Sequence, residues 1–498
     1  MSKMTFDIPQ RQSPVAILLI LSKFFSVLLR QAWPLAVVFF FNSKSNFWNY
    51  AIYFGILAAF VTAVLSIISY FKFYYYIQDE ELVIEKGVLQ KTKLNVPFDR
   101  IQTINFQQNV IHQFFQVVSL EIDTAGSSEK EFSISALEKK QAESIRRFVL
   151  EQKALSDPPA EEPIEELVQE KPAEEKLIFR LSPLDLLKTG VSQNHFRMGG
   201  IIIATLFGLY QFSSDLFGDK KTEGMLKGVF GVEPASIFQT LLLILPFFLL
   251  LSIILTLINT ILQYFDLRLY KTERGFKTIA GLLTRRELSA TLQKIQWIRW
   301  GTNPIMRLFK QYRLQLAAAS SDVVRRRQAM AIPGCYEEQI ESVRDDYFPS
   351  FRHLDKETHG ISKAIISRHL LYFGLPPILI GPLLFNGLSV YDLLWLLWIP
   401  VVYLLSRRFH QKWKWHLSTE GLRTDKGIFG SQATLLQWYK VQSVAIEQSP
   451  YQRRKSLANI YFYTAAGTLT IPYISLEDAH KLRNFVLYKV ESDPRKWM

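Results

Sequence analysis

The 498-residue chain has a single cysteine, Cys335. One thiol excludes an intrachain disulfide and a cysteine-based metal site, and its expected place is as a small apolar group in a core. The eight histidines are scattered, and neither His353 with His359 nor His410 with His416 has the i, i+4 spacing of a helical zinc pair. No glycine-rich phosphate loop ending in Lys-Ser/Thr is present, which removes the usual basis for nucleotide hydrolysis. Nothing resembles a nucleophile elbow. The long apolar runs also lack central ionisable groups. Lys23 and Arg30 lie near one end of a run, while Asp215, Asp266 and Asp392 fall at expected run boundaries. That placement argues against proton- or ion-coupled transport. No catalytic, cofactor-binding or metal-ligating residue is assigned, and no enzymatic activity is expected.

What is present is a mixture. Hydrophobic residues make up 49% of the chain, with 37 Phe and 21 Tyr, yet the mean hydropathy is only +0.08. Apolar spans alternating with polar modules give that balance. The formal charge is +13, and residues 151–176 carry nine acids against three bases, so the remainder is more basic still. Beside apolar spans, an anionic lipid leaflet is the expected partner of such a surface, rather than nucleic acid.

One pattern occurs three times. Gly87, Gly281 and Gly427 are each followed at fifteen residues by Gln102, Gln296 and Gln442, each ending a basic–β-branched–Gln tripeptide. The register extends without a gap to Ala125, Ala319 and Ala465. Internal repeats outrank local motifs in deciding the architecture. Around each copy, short β-rich segments with turn signals are closed by a helical segment, for example 137–150 and 476–490. Each copy is therefore expected to be an α+β module of roughly eighty residues. Gly275 and Gly421, six residues before the register glycine, are expected at turns needing positive φ, where the first copy has Glu81.

Paired apolar runs precede each module. Spans of about twenty residues, enough to cross roughly 30 Å of hydrocarbon, are expected near 24–41 and 50–69. Further spans fall near 198–212 and 238–262, then 370–385 and 391–405. Ser13-Pro14 and Ser182-Pro183 read as an N-cap followed by proline at the first helical position. Because Lys23 and Arg30 interrupt the first run and no small-x-small site follows, it is not read as a signal peptide. Gly374 and Pro376-Pro377 should kink the fifth span. The expected organisation is a membrane hairpin at 12–69, a module at 70–150 and an acidic, disordered linker at 151–177. A hairpin at 180–264, a module at 265–345, a hairpin at 360–409 and a module at 410–492 follow. Lys and Arg concentrate on the module side of the spans, as in Lys72, Lys91, Arg268, Lys271, Arg407, Arg408, Lys412 and Lys414. The modules and both termini are therefore expected on the cytoplasmic side of a bacterial inner membrane.

This arrangement resembles the YdbT-like bacterial pleckstrin-homology-like membrane proteins. The resemblance rests on the register glycines, the three tripeptides, Asn109-Val110, Asn303-Pro304 and Ser449-Pro450, and the segments Ile134-Ser135, Ile332-Pro333 and Ile471-Pro472. It implies a polytopic α-helical membrane protein, with about six spans and three PH-like β-sandwich or barrel modules, each closed by a C-terminal helix. It implies no activity.

The expected function is a scaffold presenting three modules to anionic headgroups or protein partners, without a cofactor. The alternative is an export or resistance complex for a membrane-active peptide or lipid, formed with a smaller PH-like membrane partner. The candidate contacts are the basic residues Arg285, Arg286, Arg325, Arg326, Arg327, Arg453, Arg454 and Lys455. Each such charge near an anionic leaflet contributes about 1 kcal/mol.

Overall fold

A computed structural model describes residues 8–41, 47–88, 90–124, 132–156, 175–195, most of 197–211, 237–319, 330–349, 358–384 and 396–495. Three PH-like sandwiches follow one another along it. In the first, β1 (Tyr74–Gln78), β2 (Glu81–Lys86) and β3 (Thr92–Pro97) form one antiparallel sheet. The strands β4 (Ile101–Gln108), β5 (Val117–Thr124) and β6 (Phe132–Glu138) belong to a second. The helix Lys139–Ser156 closes the module by burying Ala142, Ile145 and Val149. The second module repeats this with β8 (Arg268–Thr272), β9 (Gly275–Ala280), β10 (Arg285–Thr291), β11 (Ile295–Thr302), β12 (Tyr312–Ala318) and β13 (Met330–Cys335), closed by Glu337–Tyr347. The third has β15 (Lys414–Leu417), β16 (Gly421–Lys426), β17 (Ser431–Gln437), β18 (Ser443–Glu447), β19 (Leu457–Thr464) and β20 (Gly467–Ser475), closed by Leu476–Ser492. Two further strands, β7 (Lys176–Arg180) and β14 (His359–Gly360), add to the second and third modules just before their apolar helices. The first module has a single bridge, Gln10 to Tyr75, in the same place.

The repeated residues shape the backbone. Gly87, Gly281 and Gly427 have φ of 122°, 116° and 157°, and an added Cβ would lie about 2 Å from the carbonyl oxygen three residues on. Only glycine fits that turn. Asn109, Asn303 and Ser449 each cap a short helix, accepting from the amides of His112, Met306 and Gln452 at 3.0, 2.7 and 3.3 Å. Gly275 and Gly421 correct the sequence expectation, because neither has positive φ. They start strands, where a Cβ would stand 2.2 Å from the Ala290 oxygen and 2.4 Å from the Leu436 oxygen. Close approach of the neighbouring strand, not turn conformation, requires glycine there. In the first module the turn before Glu81 is made by Asp79 and Glu80, both with positive φ.

The modules are not separate. The C-terminal sheet of one continues into the N-terminal sheet of the next, giving seven-stranded sheets in the orders β6-β5-β4-β10-β9-β8-β7 and β13-β12-β11-β17-β16-β15-β14. The first junction pairs Arg285–Glu287 with Gln108–Phe106 and is otherwise polar: Arg146 to Glu287 at 3.0 Å, and the Ser289 amide donating to Asn105 Oδ1 at 3.3 Å. The second junction pairs six residues, Trp297 to Leu436 through Thr302 to Ser431. Here the cores interpenetrate. Leu435 lies in the core of the second module, while Trp297 and Ala317 lie in that of the third. Lys440, buried, donates to the Gln293 carbonyl across the same junction.

Ser182 caps the helix Pro183–Val191 by accepting from the Asp185 amide at 3.1 Å, with Pro183 at its first turn. Apolar helices span Val15–Phe41, Phe47–Phe71, Ile237–Tyr264, Leu375–Leu384 and Trp398–Lys412. Among the described residues one stretch, Pro246–Tyr264, is long and apolar enough to cross a membrane; Val15–Val27, Gly55–Phe71 and Ala364–Ile380 are shorter. A π turn over Leu370–Gly374 precedes Pro376 and Pro377 in the segment where the kink is expected. Residues 157–174, most of the acidic linker, lie outside the described residues.

Candidate functional site

The register-glycine turn is where each module meets its apolar helices. Lys72, fifteen residues before Gly87, donates to the Val88 carbonyl at 3.0 Å. Lys412, fifteen residues before Gly427, donates to the carbonyls of Ile428 at 3.1 Å and Gly430 at 3.2 Å. The second module has Asp266 at the equivalent position and uses the backbone instead. There the Gly281 and Leu282 amides each donate at 3.0 Å to the carbonyls of Phe265 and Leu262, at the end of Ile237–Tyr264. Asp266 turns toward Arg180 and Arg268, whose guanidinium groups hold its carboxyl below the usual range.

Beneath the helix Trp398–Lys412, this docking leaves a cleft of about 490 Å³ between the second and third modules. Four elements supply its cations. Arg408 and Lys412 come from the helix end, Arg307 from the short helix Pro304–Leu308 capped by Asn303, and Arg423 and Lys426 from β16. Arg344, from the helix closing the second module, completes the set. Arg423 is held by Asp425 at 2.9 Å and Arg344 by Asp345 at 3.1 Å. Arg307, Arg408, Lys412 and Lys426 have no carboxylate within ion-pair distance among the described residues. Burial lowers the Lys426 ammonium pKa, with neighbouring Arg299 adding to the effect. Two exposed apolar side chains stand next to the cleft's cations: Leu308, which follows Arg307 in the chain, is 78% accessible, and Phe429, 55% accessible, has its ring 5.9 Å from the Arg408 guanidinium. Glu337, Glu341 and Asp425 also line the cleft, so its charge is mixed with cations in excess.

The opposite face of the same strand junction has a second hollow, with Arg299 and Arg313. Both are committed. Arg299 lies over the Trp297 ring at 4.2 Å and donates to Thr434 Oγ1 at 3.1 Å, while Arg313 donates to Gln193 Oε1. Near it, Asp185 joins the second module to Pro183–Val191. Burial alone would raise its carboxyl, but Tyr336 at 2.7 Å, Ser182 and Lys188 lower it overall.

The sequence-derived candidates are dispersed. Arg285 and Arg286 are exposed on β10 at the first junction, and Arg453, Arg454 and Lys455 are exposed at the far end, on and after the short helix Pro450–Arg454. Arg325, Arg326 and Arg327 lie outside the described residues. None of the described candidates lines the basic cleft. Its residues come from separate stretches of sequence, and the Arg407, Arg408 and Lys412 cluster at the end of an apolar run together with the glycine spacing marked part of it. Cys335 is buried, as expected, and burial pushes its thiol pKa up. Among the described residues there is no cluster of three metal-ligating side chains.

Three tandem sandwiches, each of two sheets closed by a helix and each seated on apolar helices, define a PH-like repeat protein. The bacterial PH domain family model matches residues 16–153, 230–348 and 372–490, and the chain belongs to that family. It is 24% identical over 505 residues to the UPF0699 transmembrane protein YdbT of Bacillus subtilis (strain 168), covering 97% of this chain and 98% of that protein. It is also 28% identical over 99 residues to the UPF0699 transmembrane protein YdbS of the same organism, covering 20% of this chain and 62% of that protein.

Proposed function

We propose that the chain is a non-catalytic membrane scaffold, and that the cleft between its second and third modules holds a phosphate-bearing lipid headgroup. Six apolar helices in three hairpins embed it, with the modules on the cytoplasmic face of a bacterial inner membrane, where Lys and Arg concentrate. The observation carrying the reading is that Arg408 and Lys412 from one helix end and Arg307 from another short helix line the same cleft, with exposed Leu308 and Phe429 close by. Neither exposed Arg307 nor exposed Arg408 has a carboxylate within ion-pair distance among the described residues, and the end of an apolar helix carries Arg408 toward the headgroup layer. Transmembrane names carried by the relatives support the membrane setting.

The test uses the full chain in phosphatidylcholine nanodiscs with dihexanoyl phosphatidylglycerol as probe. Arg307→Gln with Arg408→Gln removes two charges worth about 1 kcal/mol each, so binding is expected to weaken on the order of 30-fold. Arg453→Gln with Arg454→Gln should leave it unchanged, and 0.5 M salt should weaken it in the unmodified protein. Equal binding by both double variants would overturn the cleft assignment.

A further inference from the structure

Both junctions inside the chain use one rule. The residue four after the register glycine of the later module pairs with the residue twenty-one after that of the earlier one: Arg285 with Gln108, and Ser431 with Thr302. The next residues follow in step, Arg286 with Gln107 and Gln432 with Gly301. Each module therefore offers a donor edge on its third strand and a receiving edge on its fourth. Two edges of these same types remain at the ends of the row. β3 borders the three-stranded sheet β1-β2-β3, and β18 borders β18-β19-β20, neither pairing on its outer side among the described residues. Thr92, Lys93 and Asn95 on β3, and Ser443 and Glu447 on β18, are exposed. A bare strand edge is a template for pairing, and soluble proteins normally cover or disrupt it.

We infer that β18 of one copy of this chain pairs with β3 of a second copy, continuing the modules head to tail across molecules. The shared register sets the contact. Thr92 faces Glu447, Lys93 faces Ile446, Leu94 faces Ala445, Asn95 faces Val444 and Val96 faces Ser443. No like charges oppose one another, and Leu94 meets a small apolar residue. The occupant is a second copy because this chain carries both halves of the interface, which repeats a contact it makes twice internally. A head-to-tail contact of this kind closes into a ring or extends as a row, and neither exposes a new edge within the assembly.

Directly opposed residues on paired strands lie about 5 Å apart, within disulfide reach. Thr92→Cys and Glu447→Cys variants with different tags, each also carrying Cys335→Ser, would be co-expressed at full length and oxidised in the native membrane. A disulfide between the two variants is expected, with neither variant linking to itself. Arg286→Cys with Gln107→Cys in one chain, opposed at the first junction, should link intramolecularly and proves that the chemistry works. Failure of the intermolecular link while that control forms would overturn the inference. So would linkage of Glu447→Cys to a different protein, which would show another occupant on the edge. As a second readout, the unmodified chain in native-lipid nanodiscs should have the mass of two or more copies, and a uniform single-copy mass would count against it.

Discussion

Lys412 donates to the carbonyl of Ile428 at 3.1 Å, so the last residue of an apolar helix holds the glycine turn that begins each repeat. Lys72 makes the same contact with Val88 at the equivalent position of the first module. The turn thus couples an apolar helix to its sandwich, and its glycine is needed because the chain doubles back tightly enough to present carbonyls to that ammonium. Lys412→Met keeps the stem and removes the donors. Amide exchange should quicken across residues 427–431 while β19 and β20 stay protected, and Lys412→Arg should restore most of the protection. Unchanged exchange in the Met variant would show that the contact carries no coupling.

The second and third modules share a core, so they should unfold as one unit. Leu435 is fully buried in the second module's core although it belongs to the third. Leu435→Ala should cost about 2–5 kcal/mol and lower the protection of both modules together. The first module, joined by three paired residues and polar contacts such as Arg146–Glu287 and Ser289–Asn105 rather than by a shared core, should keep its own stability. Hydrogen exchange under increasing urea distinguishes this from a loss confined to the third module.

The helix caps carry separable energies. Asn303→Ala removes the acceptor for the Met306 amide and frees the Asn303 Nδ2 contact to the Ser192 carbonyl at 2.6 Å. The cap alone is worth about 1 kcal/mol. Ser449→Ala loses a cap without such a long-range contact, so thermal unfolding should show the larger drop for Asn303→Ala.

Burial lowers the Lys440 ammonium to about 8, with Arg495 adding repulsion. The folded chain then holds fewer protons than the unfolded chain between that value and the ordinary lysine range near 10.5. Stability at the second junction should therefore rise as pH increases from about 8 toward 10.5, and be flat below it with respect to this group. Lys440→Met should abolish that rise. Urea midpoints of the two proteins across pH 7 to 10.5 make the comparison, and parallel curves would remove Lys440 as the cause.

Much of this molecule is determined by the sequence itself. A threefold pattern of turn glycines, capping residues and strand-length apolar segments fixes three modules, because each of those residues acts through its own backbone or its nearest neighbours. The closing helices are local in the same way. The tertiary structure decided what lies between the modules. Strand edges pair through main-chain amides and carbonyls, which every residue has, so no side-chain spelling announces that β4 meets β10 or that β11 meets β17. The close approach at Gly275 and Gly421 comes from the next strand of the same module, through the Ala290 and Leu436 carbonyls, and the pairing register decides which residue must lack a Cβ. The basic cleft was hidden too. Arg307, Arg408 and Lys426 lie on separate elements far apart in the chain, whereas the basic runs at 285–286 and 453–455 stay dispersed. Charge concentration in space depends on how elements pack, and packing is settled by shared cores such as that of Leu435 and Trp297.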